Sequence, residues 1–275
     1  MEQNGSTVVR AYAKINLSLD VVKKRDDGYH EINSLFQNIS LYDRLSIVKI
    51  DRGLEIKSNV EIENNILYKV WDLFCEKYKE PEFGFRVILE KNIPMEAGLG
   101  GGSADAAALL FFLGKTFKIP TSELLNLAIK IGSDVPFFLI GGTAVVKGKG
   151  EKIEPLPALK GYYVDLLTSE NGISTKEAYS LLNPSLFNRA PCSPYVLYEA
   201  YKNRNAGEIK RCTYNIFEKV VANNYKEIMA NIKRLRRTHI TAALTGSGSA
   251  VFGVSFRDGK YKFVSRGVEY EETKL

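Results

Sequence analysis

Cysteine and histidine are scarce in this chain. Its 275 residues hold three cysteines, Cys75, Cys192 and Cys212, and two histidines, His30 and His239. The cysteines are far apart and odd in number, and no Cys-x-x-Cys pair or Cys/His ligand spacing occurs. Neither a structural zinc site nor a disulfide scaffold is therefore expected. No run of about 18 apolar residues offers a membrane span. The start, with Glu2, Gln3 and Asn4, lacks the apolar segment of a secretory leader. Internal repeats and low-complexity tracts are also missing. The expectation is a cytoplasmic protein. What is present is a globular composition, 45% hydrophobic and 25% charged, in a chain long enough for one large or two ordinary domains. A net charge of +6 suits anionic ligands, nucleotide or nucleic acid, without choosing between them.

The stretch from Pro94 to Ala108 organises the rest. Before it, Phe83, Phe85, Val87 and Leu89 alternate as in a strand that ends at Lys91. After it, Ala106 to Leu113 is apolar on all sides, as in a buried helix. Between them lie Gly98, Leu99, Gly100, Gly101, Gly102 and Ser103. A strand, a glycine loop and a helix N-terminus together make an anion cradle. The first helical turn offers unpartnered N–H groups and a positive dipole end, and glycines let backbone approach the anion. Ser103 adds a hydroxyl for a cap, a phosphate oxygen or Mg²⁺. Two common nucleotide loops do not fit. No Gly-Lys pair closes a G-x-x-x-x-G-K-[ST], and Ser103 stands where G-x-G-x-x-G needs its last glycine.

Strand character runs over Thr7–Val22 and Glu31–Ile50. Lys14 and Asn16 share one face of the first strand, which is either solvated or a cleft wall. The turn at Asp27-Gly28 is followed by Tyr29 and His30, either surface packing or a seat for an aromatic base or an anion. Asn64 or Asn65 caps a helix running to about Tyr78, and Thr121 opens another to about Ile131. Asp134 lies between Gly132 and Pro136, ahead of an apolar run. There its carboxylate is either a cap or a partly desolvated group in need of a partner. A hairpin spans Gly141–Pro157, Tyr162–Leu167 is a strand, and a capped helix follows Gly172-Ile173-Ser174. On that helix Thr175 and Tyr179 share a face. Residues 183–236 read as mostly helical. Then come a strand, the glycine turn Thr245–Ser249 and a second strand.

Three separated motifs, Pro94–Asp105, Gly132–Thr143 and Thr245–Ser249, together resemble the GHMP kinase superfamily of galactokinase, homoserine, mevalonate and phosphomevalonate kinases. Ala13–Leu17, Asp27–Glu31 and Ser133–Phe138 narrow the resemblance to a branch whose acceptor is a cytidine diphosphate-linked methylerythritol. The resemblance implies an α+β fold of two domains. Residues 1–158 would form an ATP-binding domain like ribosomal protein S5 domain 2, and residues 159–275 a ferredoxin-like domain. It further implies ATP-dependent phosphorylation of the acceptor's 2-hydroxyl, with Mg²⁺. Asp134 would accept the hydroxyl proton and Lys14 would hold that carboxylate ionised. Asn16 would contact the methylerythritol part, while Tyr29, His30, Phe36, Thr175 and Tyr179 would hold the cytidine end. Asn65, Lys91 and Pro94 would lie near the adenine nucleoside, Gly98 to Ser103 around the phosphates, and Ser103 at the metal. Small-molecule substrate and ATP would be the partners of a monomer or homodimer, with no nucleic acid and no membrane.

Glu96 departs from the family pattern, which has glycine or a small neutral residue there. The tail after Ser255 is shorter than that of relatives. Two other readings stay open: another kinase of the superfamily without a cytosine site, or a basic α+β protein that binds RNA. Against the second, the basic residues form no long stripe and no RNA-binding signature is present.

Overall fold

The computed structural model describes residues 6–169 and 174–272. Two long strands form its spine, β1 (Thr7–Lys24) and β2 (His30–Ile50), paired antiparallel. β1 is buried almost continuously from Val8 to Val21, because both faces of this part of the sheet are covered. The turn between the strands is set by Asp27, whose carboxylate accepts the Tyr29 N–H, and by Gly28 at φ +83.

β3 (Leu54–Ser58) leads to helix α1 (Ile66–Tyr78), capped by the Asn65 carboxamide, which accepts the Leu67 N–H at 3.0 Å. β4 (Gly84–Glu90) pairs with the far half of β2. Helix α2 runs over Gly101–Thr116 and packs almost entirely inside, with Ala104 to Leu110 all buried. It starts five residues before the alanine run that marked it in sequence. Gly100, in the left-handed region at φ +74, is its N-cap, and Ser103 lies in its first turn rather than at the cap. α3 (Thr121–Ile131) and the short α4 (Val135–Ile140) follow, and Asp134 precedes α4 directly. The Thr121 hydroxyl makes no cap bond, since Pro120 holds the cap position.

β5 (Thr143–Gly148) and β6 (Lys152–Leu156) form the expected hairpin, and β5 joins the near half of β2. Next come β7 (Tyr163–Leu167) and α5 (Thr175–Ser180), the latter capped by Ser174. Gly172 and Ile173, expected in the loop before α5, lie outside the described residues. The helical stretch resolves into a 3₁₀ turn at Pro184–Leu186, α6 (Pro194–Lys202), α7 (Ala206–Cys212), α8 (Glu218–Asn224) and α9 (Lys226–Leu235). The two-residue β8 (Tyr214–Asn215) pairs with β1 in parallel. β9 (Thr241–Leu244) and β10 (Val251–Ser255) flank the last glycine turn, and β11 (Tyr261–Lys262) and β12 (Val268–Glu272) complete the described chain.

These strands make a mixed α+β molecule with two sheets. The larger has the order β12-β1-β2-β4-β3, with β5, β6 and β8 branching from it, and the smaller is β11-β7-β10-β9. The short tail is not an added lobe: β12 returns to pair with β1 at the edge of the larger sheet. One core packs α1, α2 and α3 on that sheet. The other joins its opposite face, through Ile15, Leu17 and Leu35, to Tyr162, Leu197, Tyr201 and Phe252.

Cys192 and Cys212, 20 residues apart, form a disulfide that ties the start of α6 to the end of α7. The expectation of no disulfide scaffold rested on spacing and count, and neither shows that α6 and α7 double back as a helical hairpin. The bridge anchors the segment before α6. Within that segment Asn188 donates its N–H to the Val21 carbonyl and Ala190 donates its own to the Asp20 carboxylate, each at 2.8 Å. Closing a loop of this size is worth about 3 kcal/mol through the unfolded chain. Reduction should therefore lower the unfolding free energy by about that amount in chemical denaturation, and coincident oxidised and reduced curves would refute it.

Candidate active site

The glycine loop is held on both sides. The Lys14 N–H donates to the Leu99 carbonyl at 3.0 Å, and the Ala250 N–H donates to the Ala97 carbonyl at 3.2 Å. Gly98 sits at φ +73, where a Cβ would lie 2.1 Å from the Thr245 carbonyl oxygen. Glycine is required there both for conformation and for the close approach of the third motif. Ala97 and Leu99 point into the core, so the loop backbone and the first turn of α2 face a cleft of about 1120 Å³. The Ser103 hydroxyl lines this cleft and makes no hydrogen bond among the described residues.

Across the cleft stands the first strand. Lys14 and Asn16 do share a face, and it is the cleft wall rather than a solvated face, with Lys14 4% and Asn16 1% exposed. The Asn16 carboxamide is a structural hub. Its oxygen accepts from Lys14 Nζ at 2.7 Å, the Gly246 N–H at 2.8 Å and the Thr245 hydroxyl at 3.2 Å, and its nitrogen donates to Ser34 at 3.0 Å. It thus sets the Lys14 ammonium and the third glycine motif in one frame.

Lys14 Nζ lies 3.9 Å from Asp134 Oδ2 and 4.8 Å above the centre of the Phe36 ring. Burial pushes the Lys14 ammonium below its ordinary value, and the Asp134 carboxylate pulls it part of the way back. Asp134 makes no side-chain cap bond on α4, and among the described residues its carboxylate has no hydrogen bond. It is free to accept one. The flanking turn presses close, since a Cβ on Gly150 would lie 3.2 Å from Asp134 Oδ1.

One end of the cleft is aromatic. His30 stacks at a tilt on Tyr179 with centroids 4.9 Å apart, and Phe187 meets His30 edge-on at 5.9 Å. Burial, and behind it the Lys24 charge, lowers the His30 pKa and favours neutral imidazole. Burial first, then the Asp134 charge, raises that of the Tyr179 phenol. Tyr29 is 57% exposed at the mouth, with Lys149 Nζ 4.8 Å over its ring. Thr175 reaches the Ser247 hydroxyl at 3.2 Å. Phe36 is buried against Phe137 and closer in role to Lys14 than to this aromatic end, although it lines the same cleft.

Asn65, Pro94, Met95 and Lys91 also line the cleft. Lys91 is not a free cation. Its ammonium bonds Asp43 and also Asp105, the latter at 2.8 Å, and all three side chains are buried. A lysine has three N–H donors, so one remains for a ligand. Sequence reading missed Asp43, Lys149, Phe187 and Ser247. The only signals for them were a lone acid inside a strand, a lysine between two glycines, an aromatic in an unremarkable loop, and for Ser247 its place in the third glycine motif.

The glycine loop and the helix N-terminus thus face, across one cleft, a wall that carries the Lys14–Asp134 pair. Residues 65–142 match the family described as GHMP kinases N terminal domain. The 4-diphosphocytidyl-2-C-methyl-D-erythritol kinase of Thermosipho melanesiensis is 71% identical over 275 residues, covering 100% of both chains. Among solved structures, a 4-(cytidine 5'-diphospho)-2C-methyl-D-erythritol kinase superposes with a TM-score of 0.80 at 33% identity, over 91% of this chain and 90% of that one. The homoserine kinase of Cytophaga hutchinsonii superposes at 0.76 with 16% identity, over 98% of this chain and 99% of that one, which is a likeness of fold alone. The chain belongs to the GHMP kinases, and within them to the 4-diphosphocytidyl-2-C-methyl-D-erythritol kinase family.

Proposed function

We propose that this kinase transfers the γ-phosphoryl group of ATP to the 2-hydroxyl of 4-diphosphocytidyl-2-C-methyl-D-erythritol, a step in the non-mevalonate route to isoprenoid precursors. The observation that carries the chemistry is the pairing of Lys14 with Asp134, whose carboxylate is otherwise without a hydrogen bond, in the cleft that the glycine loop faces. Asp134 takes the proton of the attacking hydroxyl. Lys14 keeps that carboxylate ionised and offsets charge on the transferring group. The backbone N–H groups of Gly101, Gly102 and Ser103, at the start of α2, hold the phosphates. Phosphoryl transfer asks little else of a protein than this positioning and charge neutralisation.

The cytosine end fits the aromatic mouth. Tyr29, His30 and Tyr179 supply ring faces for a base, and Thr175 a hydroxyl beside them. Asn16, spent on its own network, keeps one N–H donor for the methylerythritol part. Asn65, Lys91 and Pro94 border the adenine nucleoside. Among the described residues no three His, Cys, Asp or Glu side chains converge as a metal cage. Mg²⁺ travels with nucleotide phosphates and needs only one or two protein oxygens, here the Ser103 hydroxyl. When bound it neutralises phosphate charge. The division into domains near residue 158, a monomeric or dimeric state and a cytoplasmic location complete the reading. Among the described residues no helix is long and apolar enough to cross a membrane.

The test is phosphoryl transfer from ATP with Mg²⁺ to the cytidylyl acceptor, mevalonate and homoserine in parallel. Turnover confined to the cytidylyl acceptor is expected. Turnover on another alcohol would keep the kinase and discard the substrate, and salt-sensitive RNA binding without turnover would discard both.

A further inference from the structure

Glu96 stands on the lip of the glycine loop at φ +52. A side chain is strained in this left-handed region and glycine is not. The residues after it are pinned, with Ala97 and Leu99 buried and their carbonyls bonded across to Ala250 and Lys14. Glu96 itself is exposed and borders the cleft. Among the described residues its carboxylate forms neither an ion pair nor a hydrogen bond, although the cleft wall carries five lysines, Lys14, Lys24, Lys91, Lys149 and Lys176. A strained backbone therefore holds an uncompensated negative charge two residues from the start of the phosphate loop.

We propose that Glu96 makes the loop select the metal-bound nucleotide over the bare one, an inference that rests on reading the site as an ATP site. A nucleotide carrying a divalent cation presents much less negative charge than the free polyanion. A carboxylate at the edge of the phosphate site therefore repels the free form more strongly. The backbone that follows Glu96 is pinned at Ala97 and Leu99, so its side chain stays rooted at the edge of the cleft. The loop's own N–H groups attract both forms, and Glu96 subtracts from the attraction chiefly for the bare one. The result is specificity by repulsion, at some loss of total affinity. Because the site is open to solvent, salt screens the effect.

The experiment is calorimetric titration of wild type, Glu96→Gln and Glu96→Gly with ATP, once with a chelator and once with excess Mg²⁺. Glutamine keeps the shape and removes the charge, and glycine also removes the strain, so folding is not at risk in either. In the wild type the metal complex should bind more tightly. Both variants should tighten bare ATP about three- to tenfold and the metal complex only about two- to threefold, so that the preference narrows, less so at high salt. An unchanged preference in both variants would overturn the inference while leaving the nucleotide site intact. Weakened binding of the metal complex with bare ATP unchanged would make Glu96 a metal ligand and overturn it equally. A wild type that bound neither form would take down the nucleotide reading and this inference with it.

Discussion

Asp134→Asn should lower kcat by about 10²–10⁴-fold, the range a positioned general base supplies. The change is close to isosteric and leaves α4 intact, because the Asp134 side chain makes no cap bond that asparagine could lose. The glycine loop is untouched, so KM for ATP should stay near that of the wild type. A loss in kcat with KM preserved marks an interaction made in the transition state rather than in binding. A second consequence falls on Lys14. Burial already pushes its ammonium below the ordinary value, and Asp134 is the charge that pulls it back. Without that carboxylate the Lys14 pKa falls further, so the residual activity of the variant should decline at lower pH than that of the wild type as Lys14 loses its proton. Activity of Asp134→Asn within a few-fold of wild type, at any pH, would remove Asp134 from the chemistry. A variant that lost ATP binding together with turnover would instead make it a structural residue.

Asp134 also shows how much of the site the sequence could carry. Its position ahead of an apolar run allowed both a cap and a functional carboxylate, and the choice needed the missing cap bond and the Lys14 contact, both products of tertiary structure. The glycine loop was legible because its glycines sit between a clean strand pattern and an alanine-rich helix. The start of α2 was not, because glycine has low helix propensity and the sequence gives no reason for Gly101 and Gly102 to be helical. They are helical because Gly100 caps the helix from the left-handed region and the buried alanine run holds it on the sheet. Lys14 and Asn16 were placed correctly on one face by the two-residue period of a strand. That Asn16 is spent on Lys14, Ser34, Thr245 and Gly246 was invisible, since those partners lie as far as 230 residues away. The same distance in sequence hid the disulfide and the return of the tail into β12.

Lys91, expected from the resemblance near the adenine nucleoside, is engaged by two acids that the sequence did not point to, and Lys91→Met should destabilise the fold by about 3–5 kcal/mol. Its ammonium lies between two buried carboxylates, Asp43 and Asp105. Asp43 keeps other support after the substitution, since its second oxygen accepts the Asn92 N–H at 2.6 Å and the Ile93 N–H at 2.8 Å. Asp105 does not, because its Oδ1 is buried without a partner. Burial raises the Asp105 carboxyl well above the usual carboxylate range, against the pull of Lys91, and the Asp43 charge raises it further. The Lys91 ammonium is itself raised, because attraction to Asp105 and Asp43 outweighs its burial.

The signs follow from linkage. A carboxyl whose folded pKa lies above its unfolded value contributes stability below the unfolded pKa and loses it as pH rises through the folded one. Lys91 obeys the same rule in the alkaline range. Removing Lys91 takes away the attraction that restrains Asp105, so the deficit of the variant should grow as pH rises through the Asp105 titration. Denaturant unfolding over a pH series should then show the gap widening toward higher pH. Replacing Asp105 by asparagine in the Lys91→Met background should recover a substantial part of the loss, because the carboxylate left unpaired is gone. The cluster lies directly under the phosphate loop, where a Cβ on Gly101 would come 3.1 Å from Lys91 Nζ. Lys91→Met should therefore also raise KM for ATP, and the double variant should restore stability without fully restoring that KM, since the free N–H of Lys91 is still missing. Equal stability of Lys91→Met and wild type across the pH series would show that Asp105 is accommodated without its help. The cluster would then be a passive part of the core rather than the support of the loop.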